Sequence, residues 1–235
     1  MVVSIIICGG DEAGRGAILG PLVISLVSVK KSSVSSLTDA GVRDSKMLSP
    51  KKRAKLFGEI GRIATDIKVD KIYPNEINDA MRNGISLNEL EAVHFARLFD
   101  TIESDIDAVY LDSPDVVAEK FGIRFNMSSS KRTRVVGIKS KRVEGEKSIR
   151  IIAEHKADST YPVVSAASII AKVTRDREVK KLEHALGIKI GSGYPSDNTT
   201  IEAIKKNMDN AALHDNTRKY WRTMDRIKQT TLTSF

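Results

Sequence analysis

The sequence predicts an α/β fold, a mixed sheet flanked by helices. Two observations carry this. Strand-like apolar runs alternate with amphipathic helical stretches instead of segregating into separate blocks. The first two strand-like runs, residues 2–8 and 18–29, follow each other with no helical stretch between them. They therefore read as hairpin-linked neighbours, which makes the sheet mixed rather than wholly parallel.

Each element has a local reason. Residues 2–8 are an apolar run closed by Gly9-Gly10, the pattern of a buried strand that ends in a tight turn. Residues 18–29 are rich in Val, Ile and Leu, and residues 30–36 form a Ser- and Lys-rich turn. Ser49 is placed to cap a helix with Pro50 in its first turn, spanning residues 50–65. Residues 66–72 alternate as a strand does, and Pro74 opens a helix over 74–83. Ser86 with Glu89 three residues on makes a capping box for a helix reaching residue 103. A short strand over 108–111 ends at Asp112, with a helix over 114–121. Residues 148–153 form a further strand, and 163–185 the longest helical run. A loop marked by glycine and proline covers 187–197, followed by helices over 200–207 and 217–227.

Composition bounds the function. A chain of 235 residues can bury one sizeable core with a small appended subdomain. No apolar run approaches the roughly 20 residues of a membrane span, and the start of the chain lacks a signal-peptide pattern, so the expected location is the cytoplasm. The single cysteine, Cys8, excludes intrachain disulfides and multi-cysteine zinc sites, and its place in the first strand makes it a small core residue. A net charge of +8 suits a nucleic-acid partner. Residues 128–150 concentrate that charge, with eight Lys or Arg against Glu144 and Glu146. This basic loop or hairpin fits a phosphate-tracking surface or a solvated edge equally.

Acids mark the site. Asp11 with Glu12, Asp112 and Asp158 each fall just beyond the carboxyl end of a predicted strand, where ligand sites of α/β sheets gather. Four carboxylates at one sheet edge repel one another unless a cation neutralises them. Magnesium takes oxygen ligands and shares substrate phosphates, so a metal-assisted phosphodiester chemistry fits. Gly14-Arg15-Gly16 follows directly, offering close backbone approach and a guanidinium suited to phosphate. His155 lies beside the acids but reads as a packed or surface histidine, and His94, His184 and His214 lack ligand spacing. Ser165 and Ser168 sit in an apolar helix without a nearby base, which argues against a serine nucleophile. Lys172, Arg175 and Arg177 fit a nucleic-acid face or a solvated helix face.

These segments occur in a recognisable order. Asp11-Glu12-Ala13-Gly14-Arg15-Gly16, Asp44-Ser45-Lys46, Leu111-Asp112-Ser113 and His155-Lys156-Ala157-Asp158 resemble ribonuclease HII. Ser165-Ala166-Ala167-Ser168-Ile169-Ile170-Ala171-Lys172 and Gly191-Ser192-Gly193-Tyr194-Pro195-Ser196-Asp197 extend the resemblance over nearly the whole chain, with an archaeal flavour. The resemblance implies an RNase H-like fold over 1–186, a small helical C-terminal extension over 187–228 and a tail over 229–235. It implies that Asp11, Glu12, Asp112 and Asp158 hold magnesium or manganese and position the water. It further implies that Gly14, Arg15 and Gly16 sense a ribose 2′-hydroxyl, that Lys46 contacts phosphate, and that Tyr194 packs against a sugar. The implied activity is cleavage of RNA in RNA–DNA hybrids and 5′ of ribonucleotides embedded in duplex DNA, leaving a 3′-hydroxyl and a 5′-phosphate, by a monomer. Gly10, Met47 and Asn198 depart from the family pattern, and Gly10 is expected to loosen the strand end before the acids. Gln229, Leu232 and Phe235 resemble the motif by which proteins dock onto the sliding clamp PCNA. The rival readings are a DNA nuclease of the same fold and a clamp-tethered nucleic-acid-binding protein whose acids are structural.

Overall fold

A computed structural model of the chain describes residues 4–43, 48–137 and 148–232, without the side chains of residues 228 and 230–232. Six strands form one mixed sheet in the order β3-β2-β1-β4-β6-β5. They are β1 (Ile6–Ala13), β2 (Leu22–Lys30), β3 (Asp66–Ile72), β4 (Ile106–Asp112), β5 (Thr133–Val135) and β6 (Ile149–Glu154). The pairs β1–β4, β4–β6 and β5–β6 are parallel. Parallel pairing of β5 with β6 means that these two strands of the basic stretch are not partners in a hairpin. Residues 138–147 of that stretch lie outside the described residues.

The helices are α1 (Val34–Asp39), α2 (Pro50–Ile63), α3 (Pro74–Arg82), α4 (Leu87–Asp100), α5 (Ala118–Ser128), α6 (Ala157–Thr160), α7 (Pro162–Leu186), α8 (Asn198–Lys206), α9 (Ala211–Asp215) and α10 (Arg222–Leu232). The Ser49 hydroxyl caps α2 by accepting from the Lys52 amide, as the Ser-Pro signal predicts. Four short-range expectations differ. The turn over 30–36 gives way to α1 at Val34, α5 begins after the Pro114 turn and runs on to Ser128, α9 is an extra short helix capped by Asn210, and the last helix spans Arg222–Leu232 instead of 217–227. Among the described residues no helix is long and apolar enough to cross a membrane.

Contacts divide the chain into two compact units. The first comprises Met1–Glu12, Ile24–Asp70 and Asn88–Val173 and holds two cores. Strand periodicity sorts side chains between them: Ile7, Val27 and Ala108 join α2 and the first half of α7, while Cys8, Leu26 and Val109 join α4 and α5. Phe95 and Phe121 meet edge-on at 5.9 Å in the second of these cores. Burial pushes the Cys8 thiol up to about 12, so it is a core residue without thiolate chemistry. The second unit comprises Ala13–Val23, Lys71–Leu87 and Thr174–Phe235, around Ile18, Leu19, Val179, Ile190, Ile204, Leu213 and Ile227.

Strand β1 does not end at Gly9-Gly10 but continues through the acids. The glycines serve packing. A Cβ on Gly9 would lie 2.4 Å from the Val163 carbonyl carbon, so glycine lets the start of α7 lie against the strand. A Cβ on Gly10 would lie 2.7 Å from Leu111 and 2.9 Å from Leu26. Large neighbours thus fill the space that Gly10 leaves, and the expected loosening is absent.

Gly9→Ala should lower stability by about 3 kcal/mol, because the atom in the way is backbone. Gly58→Ala, in α2 with open space around its Cβ position, should raise stability by about 0.5–1 kcal/mol. Urea denaturation of the two variants beside the wild type checks the pair.

Candidate metal centre and nucleic-acid loop

Asp11 sits on β1, Asp112 is the last residue of β4, and Asp158 is the second residue of α6, just after β6. Parallel pairing of β1 with β4 and of β4 with β6 aligns these carboxyl ends. One oxygen from each of Asp11, Asp112 and Asp158 lies within 4.8 Å of the others. Asp11 and Asp158 are 4% and 1% exposed, and Asp112 is half-buried. Glu12 stands outside this group but close enough to act on Asp11 electrostatically.

The backbone is arranged to hold them. Asp11 Oδ1 accepts from the Glu12 amide at 2.8 Å, and Asp112 Oδ1 accepts from the Ala157 amide at 2.8 Å. Lys156 takes the left-handed conformation, φ 56°, which turns the chain from β6 into α6 at a cost of about 1 kcal/mol. The Ser165 hydroxyl of α7 donates to the Asp158 carbonyl and fixes that turn. His155 contacts the Asp115 carbonyl through Nε2 at 2.7 Å, so its ring is engaged there.

Burial first, then the charges of Glu12 and Asp112, raise the Asp11 carboxyl well above the ordinary aspartate range. Two full charges about 4–5 Å apart repel by roughly 3–4 kcal/mol at an effective dielectric of about 20. A proton or a cation must relieve this. The donors are all carboxylate oxygens, a set suited to a hard divalent ion such as magnesium or manganese and not to zinc.

The Gly14-Arg15-Gly16 loop belongs to the second unit and is built by two buried arginines. Gly14 has φ +91°, and a Cβ there would lie 2.3 Å from Arg175 Nε. Arg175 donates to the Ser192 carbonyl at 2.9 Å and stacks 4.5 Å above the Tyr194 ring. Arg218 donates to the carbonyls of Arg15 at 3.0 Å and Gly20 at 3.2 Å. The Ile18 and Leu19 amides both bond the Gly193 carbonyl, so the Tyr194 loop is tied to the same segment. Burial and the neighbouring Arg175 push the Arg218 guanidinium down to about 9, which leaves it charged at neutral pH. Among the described residues neither arginine forms an ion pair with a carboxylate, although the charge of Asp176 acts on Arg175. By contrast nothing lies within 4 Å of a Cβ placed on Gly16.

The chain matches the Ribonuclease HII family model over residues 8–224. It belongs to the ribonuclease HII family. It is 41% identical to Ribonuclease HII of Pyrococcus abyssi over 200 residues, covering 85% of this chain and 80% of that protein. It is 41% identical to the Thermococcus kodakarensis protein over 228 residues, with coverages of 95% and 90%. Among solved structures, the ribonuclease H2 from Pyrococcus horikoshii superposes with TM-score 0.79 and 37% identity, covering 97% of this chain and 99% of that one. RNase HII in the PCNA:RNase HII complex from Archaeoglobus fulgidus gives TM-score 0.77 and 33% identity, over 93% and 96%. The chain is thus a type 2 ribonuclease H, a divalent-metal-dependent endonuclease family acting on RNA–DNA hybrids, and the acidic cluster fits that dependence.

The ribonuclease HII resemblance pointed to residues that the structure sorts into groups. Asp11, Asp112 and Asp158 come together, as do Gly14, Arg15 and Tyr194. Lys46 and Phe235 lie outside the described residues; Gln229 is exposed on α10, which extends through Leu232. Sequence reasoning did not single out Arg218 and gave Arg175 as a charge on a nucleic-acid or solvated helix face, whereas both side chains are buried. It named Ser168 and Lys172 separately and missed their pairing, for which their spacing of one helical turn was the available signal.

The raised Asp11 carboxyl sets a pH dependence. Without a cation, the folded chain keeps a proton on Asp11 where the unfolded chain has lost it, so stability falls as pH rises above about 4. A bound cation takes over the role of that proton. Melting temperatures in magnesium and in EDTA should therefore differ little near about pH 5 and by several degrees near about pH 8. Equal differences at both values would contradict the assignment.

Proposed function

We propose that this ribonuclease cuts RNA in RNA–DNA hybrids and on the 5′ side of ribonucleotides embedded in duplex DNA, leaving a 3′-hydroxyl and a 5′-phosphate. The observation that carries the reading is the approach of three carboxylates within 4.8 Å at aligned strand ends. Asp11, Asp112 and Asp158, with Glu12 beside them, would hold magnesium or manganese. When bound, that ion supplies charge neutralisation of the scissile phosphate and activation of a water. The aspartates orient the site, and the burial of Asp11 and Asp158 keeps competing water from their oxygens.

Selection for a ribonucleotide falls to Gly14, Arg15, Gly16 and Tyr194. The 2′-hydroxyl separates RNA from DNA and both donates and accepts hydrogen bonds, so a backbone turn that approaches the sugar can read it. The open space at Gly16 supports this, since no protein packing requires glycine there. Arg15 keeps its backbone carbonyl on Arg218, which leaves loop position independent of substrate. Tyr194, stacked on Arg175, offers a fixed aromatic face for a sugar. Lys46 is assigned to phosphate contact, residues 187–228 to a helical extension, and Gln229, Leu232 and Phe235 to the clamp PCNA. The solved PCNA complex of a relative 33% identical supports the last assignment.

A labelled DNA duplex containing one ribonucleotide, beside an all-DNA duplex, tests the function in magnesium, manganese or EDTA. Metal-dependent cutting 5′ of the ribonucleotide with the all-DNA duplex intact is expected. Cutting of both duplexes would support a DNA nuclease, and binding without cutting a structural role for the acids. Asp11→Asn and Asp112→Asn should each lower the rate at least about 1000-fold, since each removes a charge the ion requires. Arg15→Ala should weaken cleavage of the single-ribonucleotide duplex about 10-fold; an unchanged rate removes Arg15 from the site. Deleting residues 229–235 should abolish PCNA binding in a pull-down while leaving hybrid cleavage intact.

A further inference from the structure

Ser168 lies in the apolar first half of α7 and is fully buried, where a hydroxyl is costly unless bonded. One helical turn on, the half-buried Lys172 donates from Nζ to Ser168 Oγ at 2.9 Å. An ammonium group can only donate, so it occupies an acceptor site of the hydroxyl and the Ser168 proton must point elsewhere. The Ser168 hydroxyl also bonds the Asp11 carboxyl, which can accept it. An ionised Asp11 can only accept, so once a cation has displaced its proton the Ser168 hydroxyl donates to the carboxylate while Lys172 donates to the Ser168 oxygen. Ser165, three residues earlier on the same helix, has its hydroxyl turned to backbone carbonyls instead.

We infer that Ser168 and Lys172 are positioning residues for the metal centre: Lys172 sets the direction of the Ser168 hydroxyl, and Ser168 holds the Asp11 carboxyl in one orientation for the cation. The inference rests on the reading of Asp11 as a metal ligand. With the Glu12 amide on Oδ1, Asp11 is gripped from two directions while its remaining lone pairs face the cluster. Lys172 has two opposed effects on a bound cation, repulsion through space and orientation through Ser168. The assignment states that orientation wins, because a buried hydrogen bond to a charged group outweighs a charge acting past an intervening side chain.

Calorimetric titration of manganese into the nucleic-acid-free protein reads this directly. Ser168→Ala should weaken binding about 10-fold, the loss of one charge-assisted hydrogen bond. Lys172→Met should weaken it by less, and the double variant should bind like Ser168→Ala. In cleavage assays the manganese concentration for half-maximal rate should rise by the same factor while KM for hybrid stays unchanged. Melting in EDTA guards against misfolding, and the half-buried Lys172 position keeps the test open if Ser168→Ala folds poorly. Unchanged metal affinity in folded Ser168→Ala, tighter binding by Lys172→Met, or a KM change without a metal change would each overturn the inference. A wild-type protein that binds manganese without cleaving hybrid would refute the proposed function while leaving this test decisive.

Discussion

Carboxylate repulsion is the constraint on which the rest of the first unit depends. Three aspartates with oxygens within 4.8 Å of one another, two of them almost fully buried, oppose folding unless something neutralises them. The fold accepts this cost at one sheet edge, and it surrounds the edge with devices that keep the acids from moving apart. Parallel pairing of β1, β4 and β6 sets their spacing, and amides of Glu12 and Ala157 fix Asp11 and Asp112. Gly9 lets α7 approach β1, which is what brings Ser168 within reach of Asp11. The strained Lys156 turn completes the arrangement by placing Asp158 immediately after β6.

The second unit solves an opposite problem. Its loop at Gly14 carries buried positive charge with no carboxylate ion pair among the described residues, and backbone carbonyls bond the guanidinium groups. Guanidinium groups suit that role because their planar donors reach several carbonyls at once. The same charge suits a polyanionic substrate. The acidic cluster and the arginine-built loop follow each other within the chain, since Glu12 and Gly14 are two residues apart.

Local signals made much of this legible. Ser49-Pro50 announces the start of α2, and the apolar run around β2 announces a strand buried on both faces. The acids were readable because they recur just past strand-like runs, a pattern that follows from chain order alone. Gly9-Gly10 misled, since glycine signals a turn in sequence but here answers to Val163, which is more than 150 residues away. Helix α9 was missed because five residues carry too little periodicity to register. Arg218 could not have been read at all: its partner carbonyl at Arg15 is separated from it by 203 residues. Long-range contacts of this kind leave no local pattern, and Arg175 looked like one more charge on a charged helix face.

The central claim is that Asp11, Asp112 and Asp158 together hold a divalent cation. Anomalous diffraction from crystals grown with manganese tests it most directly. The account predicts a peak bonded to oxygens of all three aspartates, lost when EDTA replaces the metal. Manganese density elsewhere with none at the three aspartates, or three aspartates that stay ordered and close together with no ion between them, would contradict it.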